Sequence, residues 1–336
     1  MDWNKSYTAS WRVFRVNRKT WADGEQIDNI DKVSISRTGN GRLIESGSLE
    51  LTGEIETAYY RIVMTAEQGG EVERVDVATL LFEVGGGEYD YGVDTNTLDG
   101  SSVLYPASTT AVTTGEYAPS GIDGAQYAAS LLRSAINAPV SVEGSFILED
   151  YIVHELGSSI LDAACDVLDA GRFVIQIDGR GEVHILPKPT SPALVLDTKN
   201  LRALSHGIKH NTNMSDIPNR YIVIDGVNII IAENNSEGSS VSTKSRGFCV
   251  DVVDTSPTPV NGETLGGYAN RKLREASVAK EERTYTREYA PDVYVGSLVK
   301  ASIDGLEGDY RVSSQNIECS YGITVTETVY KEISLW

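Results

Sequence analysis

The sequence predicts a mainly β protein that carries one small α+β insert. Three observations carry this reading. Short runs alternate apolar and polar residues with period two along most of the chain, as at Val33-Ser34-Ile35-Ser36 and Ser48-Leu49-Glu50-Leu51. Glycine clusters at Gly69-Gly70 and Gly85-Gly86-Gly87 punctuate these runs as turns. Between 113 and 190 the pattern changes to two amphipathic helices followed by a hairpin. With 336 residues the chain has room for two or three domains.

Taken in order, residues 1–112 read as an antiparallel β domain. Tyr60–Met64, Val75–Val77 and Leu80–Val84 supply further strands, and completing strands are expected around 191–215. In the insert, 113–190, Asp123 caps a helix whose apolar stripe is Tyr127, Ala128, Leu131, Leu132, Ala135 and Ile136. Asn137-Ala138-Pro139 stops it. Ser159 to Asp162 is a capping-box-like start for a second helix, with Ile160, Leu161, Ala164, Val167 and Leu168 inward and Gly171 as its stop. Phe173, Ile175 and Ile177, then Asp178-Gly179, then Val183 and Ile185 form a hairpin pattern.

Residues 191–336 return to β character. Tyr221–Ile224 and Ile229–Ile231 flank an Asp225-Gly226 turn, and the polar stretch 234–246 reads as a mobile hairpin tip. One helix is expected near 263–280, with Leu265, Ala269, Leu273 and Ala276 inward. Strands then cover Thr284–Tyr289, Ser297–Ile303, Asp309–Ile317 and Ile323–Lys331. The run GSLELTGEIETAYYRIV at 47–63 and the run GSLVKASIDGLEGDYRVS at 296–313 share a GSL strand, a polar turn and a Tyr-Arg strand. The match predicts two related antiparallel β domains, possessing too few copies and too long a period for a solenoid.

Charge and composition exclude several classes. The 29 basic and 48 acidic residues leave a net charge of −19, spread along the chain, so DNA phosphates are repelled rather than bound. No run approaches the 18 or so apolar residues of a membrane span. The N-terminus lacks the order of a signal peptide, which makes the cytoplasm the expected compartment. Cys165, Cys249 and Cys319 are odd in number and widely spaced, the pattern of reduced, buried thiols.

Chemical motifs fail at identifiable positions. Gly179-Arg180-Gly181 lacks a third glycine, because position 184 is His184, and it opens a strand rather than a helix. His154-Glu155 lacks the second zincin histidine, since position 158 is Ser158. Asp94 to Gly100 departs from a calcium loop at Leu98, Asp99 and Tyr105, and reads as an Asx-rich turn. His206 and His210 are four apart in a stretch unsuited to a helix. Cys165 falls on the buried side of its helix. No catalytic, cofactor-binding or metal-ligating residue is therefore assigned. The 17 tyrosines against 5 phenylalanines leave open a carbohydrate-binding or glycan-cleaving β protein.

The stretch PDVYVGSLVKASIDGLEGDYRVSSQNIECSYGITVTETVYK at 291–331 resembles the C-terminal barrel of bacteriophage tail hub proteins. These comprise baseplate hubs, late-control-D-like proteins and the N-terminal hub region of siphophage tail-tip proteins. The helix and hairpin at 160–189 and the N-terminal run with GSSVLYPAS at 100–108 are similar to the same family. The resemblance implies two related β-barrel hub domains per chain, 1–112 and 191–336, with the α+β module between them. It implies a homotrimer in which six barrels form a ring with pseudo-hexameric symmetry. Implied partners are a distal tail or tail-tube protein, a tape measure protein, and tip or receptor-binding proteins, with DNA only in passage. The location implied is the virion tail, assembled in the host cytoplasm. An attached lysozyme or peptidase is not expected, since the chain ends at Trp336. Asn234, Asn235, Ser236, Glu237, Lys244 and Arg246 are the candidate inter-subunit contact loop. A six-fold distal tail or tube protein, with one barrel per chain, is the alternative within the same setting.

Overall fold

The computed structural model describes residues 3, 7–39, 43–53, 55–90, 95–197, 207–259 and 262–336. It is mainly β, with several antiparallel sheets and a few helices. The first strands are β1 (Thr8–Val16), β2 (Asp23–Ile27), β3 (Ile30–Gly39), β4 (Leu43–Thr52), β5 (Ala58–Gln68), β6 (Glu71–Asp90) and β7 (Thr95–Ser102). The alternating runs fall in β3, β4 and β5, with Val33, Ile35, Leu49, Leu51, Ile62 and Met64 in one core. Gly69 and Gly70 make the expected turn, at φ of 59° and 88°.

The triple glycine behaves otherwise. β6 runs unbroken from Glu71 to Asp90, and its register against β7 shifts between Phe82 and Gly87. The two short strands expected before it, Val75–Val77 and Leu80–Val84, are one strand with a register shift of its own against β5, and the glycines prolong that strand because glycine accommodates a bulge as readily as a turn. A Cβ on Gly87 would lie 1.9 Å from the Thr97 carbonyl oxygen, so the ladder closes only on glycine. Thr95 to Gly100 is likewise strand β7 and not an Asx turn; Asp94 lies outside the described residues. Pairing with β4 on one side and β6 on the other overrides the poor strand propensity of Asn, Asp and Gly.

The insert holds α1 (Tyr105–Thr109), β8 (Tyr117–Ala118), α2 (Gly124–Ala135), β9 (Val140–Val142), β10 (Ile152–Val153), α3 (Ile160–Ala170), β11 (Phe173–Ile177) and β12 (Val183–Pro187). Asp123 accepts the Ala125 and Gln126 amides at 3.0 and 3.3 Å. Ser159 and Asp162 form the full capping box. The buried face of α2 is Ala125, Ala128, Ala129 and Leu132, while Tyr127, Leu131 and Ala135 are only partly covered. The stripe is thus rotated toward the alanines, which let α3 approach closely. Gly171 ends α3 for a packing reason: its Cβ would lie 2.4 Å from the Phe146 ring, and the left-handed residue is Arg172, at φ 55°.

The remaining elements are β13 (Pro192–Leu196), β14 (Lys209–Thr212), β15 (Arg220–Asp225), β16 (Asn228–Glu233), α4 (Thr243–Arg246), β17 (Asp251–Asp254), α5 (Leu265–Ala276), β18 (Val278–Glu288), β19 (Leu298–Ile303), β20 (Leu306–Cys319) and β21 (Ile323–Ser334). The chain forms two compact units, Met1–Gly207 with Tyr285–Val329, and Ile208–Thr284 with Tyr330–Trp336. In the first, strands follow the order β2-β1-β5-β6-β7-β4-β3-β20, and β20 also pairs β19 and β21. The β3–β20 ladder runs antiparallel from Thr38↔Ser314 to Val33↔Cys319. In the second, β16, β15 and β17 form a sheet whose Tyr221, Val223 and Ala232 pack on Tyr268, Ala269 and Leu273 of α5.

The paired GSL and Tyr-Arg motifs prove not to be one hairpin used twice. Near the C-terminus they do form a hairpin, with Val299 opposite Tyr310 and Leu298 opposite Arg311. Near the N-terminus, β4 pairs β3 and β7, whereas β5 pairs β1 and β6. What the Tyr-Arg pairs share is a role. Buried Arg61 donates to the Arg180 carbonyl at 3.0 Å, and Arg311 donates to the Pro189 carbonyl at 3.2 Å. Each arginine therefore clamps one end of the β12 segment to a strand of the sheet.

The first clamp is the tighter. The turn between β11 and β12 lies so close to β6 that a Cβ on Gly179 would fall 1.6 Å from the Asp76 carbonyl oxygen. Thr79 Oγ1 donates to the Gly179 carbonyl at 3.0 Å, and Trp21 Nε1 donates to the Arg180 carbonyl at 2.8 Å. Arg61 adds a donation to Thr79 Oγ1 at 3.1 Å and an ion pair with Asp23 at 2.5 Å. Gly179→Ala is expected to destabilise the protein by on the order of 3 kcal/mol, since backbone has to move. Arg61→Ala should cost about 3–5 kcal/mol through the stranded buried partners. Arg311→Ala, which loses neutral carbonyl bonds alone, should cost about 1 kcal/mol. Urea midpoints at constant m-value read all three.

Candidate functional site

The loop 234–246 is folded, and not a mobile tip. Asn234 is buried: its Nδ2 donates to Ser239 Oγ at 3.0 Å and its Oδ1 accepts the Ser236 amide at 3.2 Å. Asn219 stitches the base, donating to the carbonyls of Val241 and Phe248 at 3.1 and 3.0 Å. Ser242 caps α4 and Gly247, at φ 73°, ends it. Arg246 donates to the Ile217 carbonyl at 2.7 Å and to that of Met214. Composition suggested mobility, but each Asn and Ser is a local hydrogen-bonding group, and here they close on one another. Of the six candidate contact residues, Asn234 and Arg246 hold the loop together. Asn235, Ser236, Glu237 and Lys244 are exposed, with Lys244 3.3 Å from Glu237.

The neighbouring sheet has two unlike faces. On the side of α5, the hydroxyls of Tyr268 and Tyr221 donate to Asp254 Oδ2 at 2.7 and 3.2 Å. The Tyr268 bond leads the effects that hold the Asp254 carboxyl below the usual carboxylate range. Burial, with Asp254 adding to it, pushes the Tyr221 phenol up to about 12. On the other side, strand alternation and register place Ile222, Ile224, Ile229, Ile231 and Val253 together, with Ile222 opposite both Ile231 and Val253. Ile229, Ile231 and Val253 remain 62%, 55% and 54% exposed. The charged residues of this face stand at one end, where Arg220 grips Asp251 bidentately at 2.7 and 2.6 Å and Glu233, opposite Arg220 in register, accepts from the Thr243 hydroxyl at 2.5 Å. Sequence reasoning found the strands but missed their open face. An Asn-Ile-Ile-Ile run signals a strand without saying what covers it.

The titratable clusters have structural accounts. Arg287 binds Glu327 bidentately at 2.9 and 2.5 Å, and Tyr285 and Gln315 donate to the same carboxylate at 2.8 and 2.7 Å. Burial pushes Glu327 up, but Arg287 and these donors outweigh it and hold the carboxyl below its ordinary value. Glu45 differs. It accepts from Arg37 at 2.7 Å, but its Oε2 has no partner, and burial wins over Arg37 to raise its pKa. Asp178, Glu182 and His184 bring one ligand-type atom each within 4.8 Å of one another. Hydrogen bonds engage Asp178 and His184: Asp178 Oδ1 accepts the Glu182 amide at 2.8 Å, Asp178 Oδ2 lies 3.2 Å from His184 Nε2, and Ser141 Oγ lies 2.8 Å from His184 Nδ1; the Glu182 carboxylate lies 3.7 Å from Arg180 Nε. The spacing of two carboxylates and a histidine across one hairpin was the available signal for this cluster. His210 sits on strand β14, 2.9 Å from Thr212 Oγ1, and His206 lies outside the described residues. Cys165 and Cys319 are buried as expected; Cys249 is exposed, because it follows the α4 turn instead of entering a strand.

No family model and no curated protein matches this sequence. Solved structures do match. The 43 kDa tail protein of prophage MuSo2 from Shewanella oneidensis superposes with a TM-score of 0.63 at 13% identity, covering 98% of this chain and 99% of that one. The fold is one used by phage tail proteins. A tail protein from Neisseria meningitidis MC58 agrees, with a TM-score of 0.64 at 12% identity and 97% coverage of both chains. The half-lidded Francisella PdpA–VgrG complex contains a chain matched at a TM-score of 0.55 and 7% identity, over 97% of this chain and 58% of that one.

Glu327 and Glu45, both buried, make opposite contributions with pH. Glu327, depressed below the ordinary 4.5, stabilises the fold above that value and loses the contribution as pH falls through its folded pKa. Glu45, raised above 4.5, favours the fold more as pH falls through its folded pKa. Glu327→Gln should therefore flatten the loss of stability in acid, at a cost of about 3–5 kcal/mol at pH 7. Glu45→Gln should remove the opposing slope. Thermal melts from pH 3 to 7 measure both.

Proposed function

We propose that this chain is a structural, non-enzymatic phage tail hub. Three copies form a ring that closes the distal end of the tail tube and joins it to tip or baseplate proteins. The observation that carries the reading is the extent of the fold match: nearly the whole chain superposes on nearly the whole of two tail proteins. A shared domain inside an unrelated enzyme would cover one of the chains only in part. In this reading two β-barrel domains per chain let a trimer present six similar units to a six-fold tube. Two features support it. The N-terminal strands and the strands after Tyr285 lie side by side through the β3–β20 ladder. The net charge of −19 suits a wall past which DNA slides without sticking. Contacts with a tube protein, a tape measure protein and receptor-binding or tip proteins belong to the same proposal, as does residence in the virion tail.

Light scattering on the eluting protein should give three chain masses, and class averages of the particle should show a ring with six-fold-like density. A monomer at all concentrations, or six chains per ring, would overturn the trimeric hub. Double-stranded DNA passed over immobilised protein at about 150 mM salt should not be retained. Retention would remove the channel argument.

A further inference from the structure

The reading of a trimer leaves open which surfaces join the copies. A closed ring of three cannot be built from one patch meeting itself, because self-complementary contacts close as dimers. Each chain then needs two different surfaces, one for each neighbour.

The exposed large apolar side chains include two contiguous groups. The first is the outer face of β15, β16 and β17, with five β-branched residues and Val227 at the hairpin turn, 96% exposed. These side chains offer on the order of 500 Å², the size of the largest patch of a typical monomer and more than half of the roughly 800 Å² per partner of a stable interface. The second group lies on the two-stranded ribbon of β8 and β10. Ala118 faces the core, while Tyr117 and Val153, opposite one another in register, face solvent. Tyr151 stands edge-to-face with Tyr117, ring centroids 6.4 Å apart. Tyr117, Tyr151 and Val153 are 55%, 67% and 65% exposed.

Charge decides what can cover them. Copies of a chain with net charge −19 repel wherever carboxylates would meet. The ribbon is flanked in sequence by Glu116 and Asp150, so its partner has to be a surface without surplus carboxylates. The centre of the β15–β17 face meets this demand, because it is aliphatic; the surplus carboxylate of the face, Glu233, stands with Arg220 and Asp251 at one end, outside the proposed contact. A basic partner would gain nothing from that aliphatic centre, whereas a second acidic copy loses nothing by it.

We infer that the open face of β15–β17 in one copy binds the Tyr117–Tyr151–Val153 ribbon of the next. This rests on the trimeric reading and specifies its contact. Two variants test it, Ile229→Asp/Ile231→Asp on the face and Tyr117→Asp/Tyr151→Asp on the ribbon, each checked against the parent by circular dichroism and melting. A milder face variant, Ile229→Thr/Ile231→Thr, keeps the β-branched strand pattern. With parent trimers, each Asp variant should elute as a monomer, and the Thr variant should weaken assembly at least tenfold. An equimolar mixture of the two Asp variants should give dimers, because one intact pair of surfaces remains. Folded Asp variants that stay trimeric overturn this contact and leave the trimer standing. A mixture that stays monomeric overturns the pairing of these two surfaces and points to a different tail protein on each. A parent that never associates removes the trimeric reading itself.

Discussion

The antiparallel ladder between β3 and β20 is the constraint on which the larger compact unit depends. Six residue pairs, from Thr38↔Ser314 to Val33↔Cys319, bind strands from opposite ends of the chain. The ladder turns an N-terminal sheet that would end at β3 into one that continues through β20. Its buried faces then have to match. Val33, Ile35, Ile317 and Cys319 share one core with Ile323 and Val325. The polar residues enclosed nearby are joined by long-range bonds, as where Gln315 donates to both the Val293 carbonyl and Glu327, while Gln315 Oε1 and Glu45 Oε2 stay without a partner. A partly satisfied network in such a place costs more than an apolar core, so these bonds specify the arrangement more than they add stability.

On that sheet the α+β insert is held by shape and by cation. Gly179 supplies the shape, allowing one backbone to touch another. Arg61 supplies the cation, which reaches strand, turn and insert at once. Arginine suits this position because its planar fork offers five donors in fixed directions, which a lysine could not. The smaller unit follows a different logic. Its α5 helix covers one side of a three-stranded sheet and leaves the other to solvent. Burial of Tyr268, Ala269 and Leu273 gives that unit its core, while the uncovered aliphatics do nothing for the isolated chain.

Much of the fold was legible where the signal is local. Asp123 and Ser159 announce their helices because a cap is a bond between neighbours in sequence, and Asp225-Gly226 announces its hairpin for the same reason. Legibility failed where distant pairing decides. Gly85 to Gly87 look like a turn until β7 is seen to run alongside, and the two GSL motifs look alike until their partners are compared. The candidate contact loop was found from composition, but composition could not tell that Asn234 and Arg246 face inward. Burial was the least readable property, as Ile229 and Ile231 show. Resemblance to tail hubs pointed to a fold that the solved tail proteins share, although no single motif in the chain is strong enough to carry it.

The discontinuity of the larger unit has a consequence for biosynthesis. Thr38 leaves the ribosome roughly 280 residues ahead of Ser314, a delay on the order of tens of seconds at the usual ~5–20 residues per second. Throughout that interval the outer edge of β3 has no strand to receive it, although β3 already carries the alternation that invites pairing with any passing chain. On a polysome producing many copies side by side, nascent chains would be the nearest such strands. The strands around β3 give no charge protection of their own, since 41 of the 48 carboxylates lie after Thr52; repulsion between neighbouring nascent chains grows only as that later segment emerges.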